Sequence, residues 1–262
     1  MDYSYWKKQA DTPLFPDIQW SRPEQRARAG KLGIIGGNTL GFAGVGEAYA
    51  VASSTGAGEV RVLLPSALKK SIPPTITDAV FAATNPSGSL AKDALPEMRA
   101  LGSWADVVLL VGDAGRSSET AIVYEEFLRE YEGRLVITRD AIDLMKNSPQ
   151  ALVERDKTLL VASFAQLQKL FQSVYYPKVL TFSMQLTNLV EALHKFTITY
   201  PTAIAVLHKD HLLIAHNGEV VSIDWSNPMA IWRGITASKI ATYWLWNPTK
   251  TLESAVTSLT HE

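Results

Sequence analysis

The chain has 262 residues, 47% hydrophobic and 19% charged, which is enough for one large α/β domain with a sizeable core and suits two small ones less well. Its 25 basic and 26 acidic residues leave a formal net charge of −1, so there is no bulk electrostatic footprint for nucleic acid or an anionic membrane. Cysteine is absent, which excludes a disulfide scaffold and thiolate metal sites; the polar start Met1-Asp-Tyr-Ser-Tyr-Trp-Lys-Lys8 and the lack of a bilayer-length apolar run make a cytoplasmic protein the expectation.

Residues 1–30 carry Pro13, Pro16 and Pro23 among scattered charges and read as a surface arm with one helical turn near 22–29. Residues 31–262 read as the domain. It opens on the strongest local signal, Lys31-Leu-Gly-Ile-Ile-Gly-Gly-Asn38. Leu32 to Ile35 supply a short buried strand, and Gly36, Gly37, Gly41, Gly44 and Gly46 let the main chain approach a ligand with its N–H groups exposed. The run from Glu47 to Ala57 then reads as a helix stopped by Gly58. This order of strand, glycine loop and helix opens many nucleotide-binding units. Gly44-Val-Gly46-Glu-Ala-Tyr49 lacks the third glycine of the dinucleotide fingerprint, which speaks against that fold. A plain strand-to-helix turn accounts for the same glycines without a ligand.

Further along, strands are expected at 32–36, 59–64, 106–111, 134–138 and 158–161, interleaved with helices at 46–56, 74–83, 90–102, 118–131 and 164–172. The alternation implies a mainly parallel sheet covered on both faces, a three-layer αβα sandwich. The tail changes character. Short strands at 203–207, 212–216 and 220–223, the last two joined by Asn217-Gly218, predict a hairpin that gives the sheet an antiparallel C-terminal edge. Helices at 236–245 and 249–259, broken at Asn247-Pro248, close the chain.

Four segments in this order resemble the ADP- or ATP-dependent NAD(P)H-hydrate dehydratases, a family of ribokinase-like fold that repairs hydrated nicotinamide cofactors. They are Gly36-Gly37-Asn38 with Ala43-Gly44-Val45-Gly46 and Thr55-Gly56-Ala57-Gly58; Val111-Gly112-Asp-Ala-Gly115-Arg116-Ser-Ser-Glu119-Thr120; Val136-Ile-Thr-Arg-Asp140-Ala141-Ile-Asp-Leu-Met145; and Asn227-Pro228-Met229-Ala230 with Asn247-Pro248. The resemblance implies that Gly37, Asn38, Gly44, Gly112, Gly115 and Asp140 contact substrate. It assigns Asn227, Arg233, Gly234 and Lys209 to nucleotide and phosphate. Its cofactor would be ADP or ATP with Mg2+, its substrate the NAD(P)H hydrate, and no protein metal site is implied.

The departures from the family pattern are concentrated at the chemistry. Where the family has a glycine-rich anion hole ending in a general-base aspartate, this chain reads Ile231-Trp232-Arg233-Gly234-Ile235-Thr236, and Thr236 holds the aspartate position. An unperturbed threonine hydroxyl cannot accept a proton near neutral pH. The family's "TPHPGE" segment reads Val161-Ala-Ser163-Phe-Ala-Gln166, and its "LKG" reads Leu207-His208-Lys209. Arg233 can replace lost amides as a charged donor to phosphate, or lie on the surface. Thr236 can equally be a helix N-cap.

Other groupings have simpler readings. Asp140 and Asp143, three apart at a helix start, serve capping and dipole compensation more readily than acid–base work. His208, His211 and His216 read as surface residues, with no carboxylate to complete a metal triad. Trp225, Trp232, Tyr243, Trp244 and Trp246 suit core, a subunit interface or a stacking platform for adenine or nicotinamide. Three functions remain open: an active hydrate dehydratase, a catalytically degenerate member binding a nucleotide or a partner protein, and a ribokinase-like small-molecule kinase. The aromatic density of the C-terminal third predicts a homo-oligomer, so light scattering should give a mass at least twice that of the chain; a monomer would overturn the expectation.

Overall fold

The computed structural model describes residues 3–260. Ten strands form one sheet. In chain order they run β1 (Trp6–Gln9), β2 (Lys31–Gly36), β3 (Glu59–Pro65), β4 (Ala79–Ala82), β5 (Val107–Gly112), β6 (Arg134–Thr138), β7 (Thr158–Ala162), β8 (Ala203–His208), β9 (His211–His216) and β10 (Glu219–Asp224). The helices are α1 (Pro16–Trp20), α2 (Ala43–Thr55), α3 (Leu95–Trp104), α4 (Ser118–Glu130), α5 (Asp140–Leu144), α6 (Pro149–Glu154), α7 (Phe164–Ser173), α8 (Leu186–Thr199), α9 (Pro228–Trp232), α10 (Ile235–Trp246) and α11 (Thr251–Thr260). Across the sheet the strand order is β1-β10-β9-β8-β7-β6-β5-β2-β3-β4. Every neighbouring pair is parallel except those made by β9, so β9 alone runs against the others.

Strand sequence explains the two-faced burial. β5 is Val-Val-Leu-Leu-Val-Gly with every residue buried, the composition of a parallel strand with helices on both sides. Its side chains alternate: Val107, Leu109 and Val111 join the core under α2, α10 and α11, while Val108 and Leu110 join the core under α3, α4, α7 and α8. Helix ends follow local chemistry. Ser117 caps α4 by accepting from Thr120 N, and Ser163 with Gln166 forms a reciprocal capping box on α7. The hairpin turn places both Asn217 (φ 49°) and Gly218 (φ 80°) in the left-handed region that the sequence predicts.

Several expectations are corrected. The predicted helix at 74–83 is instead the strand β4; a short apolar run fits either period, and β-branched Val80 with Phe81 finds ladder partners on β3. The N-terminal arm is part of the sheet: β1 pairs with β10, and Trp6 Nε1 donates to Ser222 Oγ at 3.0 Å. The C-terminal hairpin is therefore not the edge, since β1 covers it. Helix α2 ends at Gly56 (φ 113°) rather than at Gly58. Helix α8 has no counterpart among the expected elements, although Leu186, Leu189, Val190, Leu193 and Phe196 carry a helical period.

β2 is followed by β3 and β4 on one side and β5 returns to its other side, so the connections change direction between β2 and β5. Loops diverge at the C-terminal ends of such a strand pair and leave a crevice. The two strands approach so closely there that a Cβ on Gly36 would lie 2.3 Å from Gly112 O. Gly36→Ala should therefore lower stability by about 2 kcal/mol, read by urea unfolding. In contrast, Gly46 lies in α2 with nothing within 4 Å of an added Cβ, so Gly46→Ala should raise stability by about 0.5–1 kcal/mol. Equal effects of the two changes would refute this account.

Candidate functional site

The crevice at the β2/β5 divergence is built from three loops tied together by side chains. Asn38 is buried; its Nδ2 donates to Ser87 O at 2.9 Å and Ser89 Oγ at 2.5 Å, and its Oδ1 accepts from Leu40 N at 2.8 Å. Ser89 Oγ in turn donates to Ala114 O. Asn85, also buried, donates to Leu90 O, Ser117 Oγ and Thr120 Oγ1. No hydrophobic period marks these residues, which is why pattern reading passes over Asn85 and Ser89.

The glycine loop is not the bare cradle that the sequence suggests. Gly37 N donates to Gly112 O, Asn38 N to Gly41 O, Thr39 N to Gly88 O, Gly41 N to Asn38 O and Gly46 N to Phe42 O. Gly44 N donates to Asp113 Oδ2 at 2.6 Å. Those amides are engaged within the protein, so the loop is a closed turn packed on the β2 and β5 ends rather than an open anion nest.

Asp140 anchors the opposite loop. Its Oδ1 accepts from Asp113 N at 2.7 Å and its Oδ2 from Ala114 N at 3.0 Å. Gly112, at φ 86°, sits so close that a Cβ there would lie 2.0 Å from Asp140 Oδ1, which requires glycine. Burial pushes the Asp140 carboxyl above its ordinary value, against the lowering effect of the two amides. The nearby Tyr124 hydroxyl is fully buried without a partner, and burial, then the charges of Asp140 and Asp113, push it up. Gly115, at φ 70°, completes the turn at the mouth of the loop.

Asp113 (φ 54°) and Arg139 (φ 58°) both hold left-handed backbone, and their side chains form an ion pair. Two strained non-glycine residues meeting in a cleft are a recognised mark of functional sites. Arg139 also donates through Nη1 to Trp232 O at 2.6 Å, while its Nε is buried with no acceptor. The pair lies against Gly44, where a Cβ would sit 2.8 Å from Asp113 Oδ2 and 2.9 Å from Arg139 Cζ. Sequence reading missed Arg139; the available signal was an arginine placed directly after an otherwise apolar strand end.

Two cavities adjoin these residues and share Asp140 and Asp143. One, of about 300 Å³, is lined by Asp113, Arg139, Ser163, Gln166, Ile231 and Trp232 among others. The second, of about 790 Å³, is lined by Gly115, Arg116, Ser117, Lys146, Asn147 and Lys169 among others. Lys169 Nζ lies 3.7 Å from Asp143 Oδ1. Gln166 Nε2 donates to Arg139 O and to Asp143 Oδ2.

The remaining expected residues are distributed along the same C-terminal edge in different roles. Asn227 caps α9, its Oδ1 accepting from Ala230 N at 3.3 Å. Gly234 (φ 84°), not Thr236, is the N-cap of α10. Thr236 is 0% exposed and its Oγ1 has no partner. Arg233 is exposed, with Nη1 3.8 Å from Glu47 Oε1, and Lys209 (φ 55°) forms the exposed β8–β9 turn. The histidines are not all superficial. His208 is buried between Phe164 and Phe182 with Nε2 3.1 Å from Met184 O. His211 lies 2.9 Å from Asp224 and 3.5 Å from Asp210, carboxylates that the sequence reading did not pair with it. Among the described residues, no group of three or more His, Asp and Glu side chains is placed to hold a metal ion. Of the aromatics, Trp244 is core, Tyr243 and Trp246 pack on each other, and Trp232 stands 56% exposed at the cleft.

Comparison of the sequence with protein-family models and with curated proteins gives no match. Comparison of the structure does. A ribokinase-like superfamily protein from Enterococcus faecalis superposes with a TM-score of 0.75 at 16% identity, over 99% of this chain and 87% of that one. A hypothetical protein from Streptococcus mutans gives 0.70 at 18% identity, over 97% and 87%. ADP/ATP-dependent NAD(P)H-hydrate dehydratase from Bacillus subtilis, crystallised with ATP and Mg2+ and soaked with CoA, gives 0.62 at 11% identity, over 95% and 87%. The chain has the ribokinase-like fold.

Asp140 is a loop anchor by this geometry. Asp140→Ala leaves the amides of Asp113 and Ala114 buried without acceptors and should lower stability by about 2 kcal/mol, with the loss seen as early amide exchange at residues 112–115. Unchanged exchange there would refute the anchoring role.

Proposed function

We propose that this ribokinase-fold protein binds an adenine nucleotide or nicotinamide cofactor in the paired clefts at the sheet's C-terminal edge and has given up the dehydratase-type phosphoryl chemistry. The observation that carries the second half is the state of the base position. Thr236 is fully buried, carries no ionisable group and finds no partner for its hydroxyl, so it can neither take a proton nor pass one on.

The same loss extends to the metal. A Mg2+ ion arriving on nucleotide phosphates needs one or two free carboxylates from the protein. Asp113 has its two oxygens on Arg139 and Gly44 N, Asp140 on two backbone amides, and Asp143 meets Gln166 and Lys169. The donors present do not fit the ion.

Binding is what the residues support. The cavities, about 300 and 790 Å³, fall in the range of small-molecule sites. Trp232 offers an exposed indole at the rim for a planar base to stack on. Arg116, Lys146 and Lys169 line the larger cavity with positive charge, and among the described residues Arg116 and Lys146 have no ion pair to neutralise them. Phosphates directed into that cavity would meet donors free to turn toward them. The kinship in fold with a hydrate dehydratase that was crystallised with ATP supports a nucleotide as the ligand class.

Calorimetric titration with ADP, ATP, AMP and NADPH should show micromolar binding of at least one of them, weakened tenfold or more by Trp232→Ala. A coupled assay at high protein concentration should show no nucleotide-dependent loss of NAD(P)H hydrate. Turnover would restore the active dehydratase; absence of binding to all four would leave a fold retained for a protein partner.

A further inference from the structure

We infer that the Asp113 carboxylate is a built-in occupant of an anion site, and that a phosphate group binds to Arg139 once this carboxylate is displaced. The inference deepens the ligand-binding reading by naming what closes the inner end of the smaller cleft.

Three observations support it. First, Asp113 is bonded as a bound anion would be. One oxygen accepts from Gly44 N, in the first turn of the 13-residue helix α2, and the other is paired with Arg139. The positive end of a helix and a guanidinium together form an anion-binding arrangement. The protein fills it from the neighbouring β5 loop.

Second, the guanidinium is under-satisfied. Arg139 has five N–H donors. Asp113 and Trp232 O engage the two Nη atoms, while Nε is buried with no acceptor. A carboxylate held by its own backbone meets Arg139 through one oxygen; a tetrahedral anion has further oxygens to offer to Nε and to a second face.

Third, the closed arrangement is held under strain and with space reserved for it. Both partners have left-handed backbone, at φ 54° and 58°. Glycine at 44 is what leaves room for the pair, and a Cβ on Gly234 at the start of α10 would come only to 3.7 Å from Arg139 Cδ. The pair thus stands where the N-termini of α2 and α10 converge, and both residues line the smaller cleft. A ligand phosphate entering from that cleft would meet Arg139 after displacing Asp113, so the carboxylate competes with the ligand for the guanidinium.

The test uses Asp113→Gly, which removes the carboxylate and suits the left-handed backbone. Inorganic phosphate is titrated at constant ionic strength and followed by thermal shift and by phosphorus NMR line width. The variant should bind phosphate at least tenfold more tightly than the wild type, and Arg139→Gln in the same background should abolish the gain. Asp113→Asn, which keeps the shape and loses the charge, provides a second variant and should move affinity in the same direction. Equal phosphate binding by wild type and both variants, or a gain that survives Arg139→Gln, would overturn the inference. Because the probe is phosphate alone, a negative result here leaves the nucleotide titration of the wild type to stand or fall separately.

Discussion

The close approach of β2 and β5 at their C-terminal ends governs the rest of the structure. A backbone carbonyl of one strand and a backbone amide of the other, Gly112 O and Gly37 N, bond at 2.8 Å. That contact demands glycine at 36, where an added Cβ would lie 2.3 Å from Gly112 O. It also fixes where the glycine loop before α2 and the Asp113 loop after β5 leave the sheet. The crevice that follows is a topological necessity of strands whose connections part in opposite directions.

From that point the site is assembled by polar side chains acting on backbone. Asn38 and Asn85 bind loops separated widely in sequence, and Asp140 holds the amides that follow β5. Here they are engaged internally, and the loop N–H groups with them. A buried polar group without a partner is costly, and closing the loops on one another satisfies these groups. The Asp113–Arg139 pair is the charged version of the same closure: a carboxylate placed at a helix start with its own counter-ion.

Superposition over nearly the whole chain at 16–18% identity shows how much sequence can change while the ribokinase-like architecture persists. At the start of α10, Thr236 is buried and Arg233 is turned outward to solvent. Likeness of fold does not by itself assign a reaction.

Much of the architecture was legible in the residues. Apolar runs at 32–36, 106–111 and 134–138, the Asn217-Gly218 turn and the Asn247-Pro248 break all have local causes, period and dihedral preference, that operate without the rest of the molecule. Glycines 36, 37 and 112 were legible as special positions. Their reason was not, since it is the close approach of groups that meet only in the folded chain: Gly112 O at Gly36, Leu64 at Gly37 and Asp140 at Gly112. The same limit applies to β1, whose four residues become a strand only because β10 offers a ladder, and to β4, whose ambiguous run is decided by β3. At the site, sequence order determined which functional groups this chain possesses and which it lacks. Tertiary structure alone decided that the loop amides are already bonded, that His208 is interior, and that Asp113 and Arg139 meet. Hydrogen bonds and ion pairs are short-range, so their partners exist only once the chain has folded.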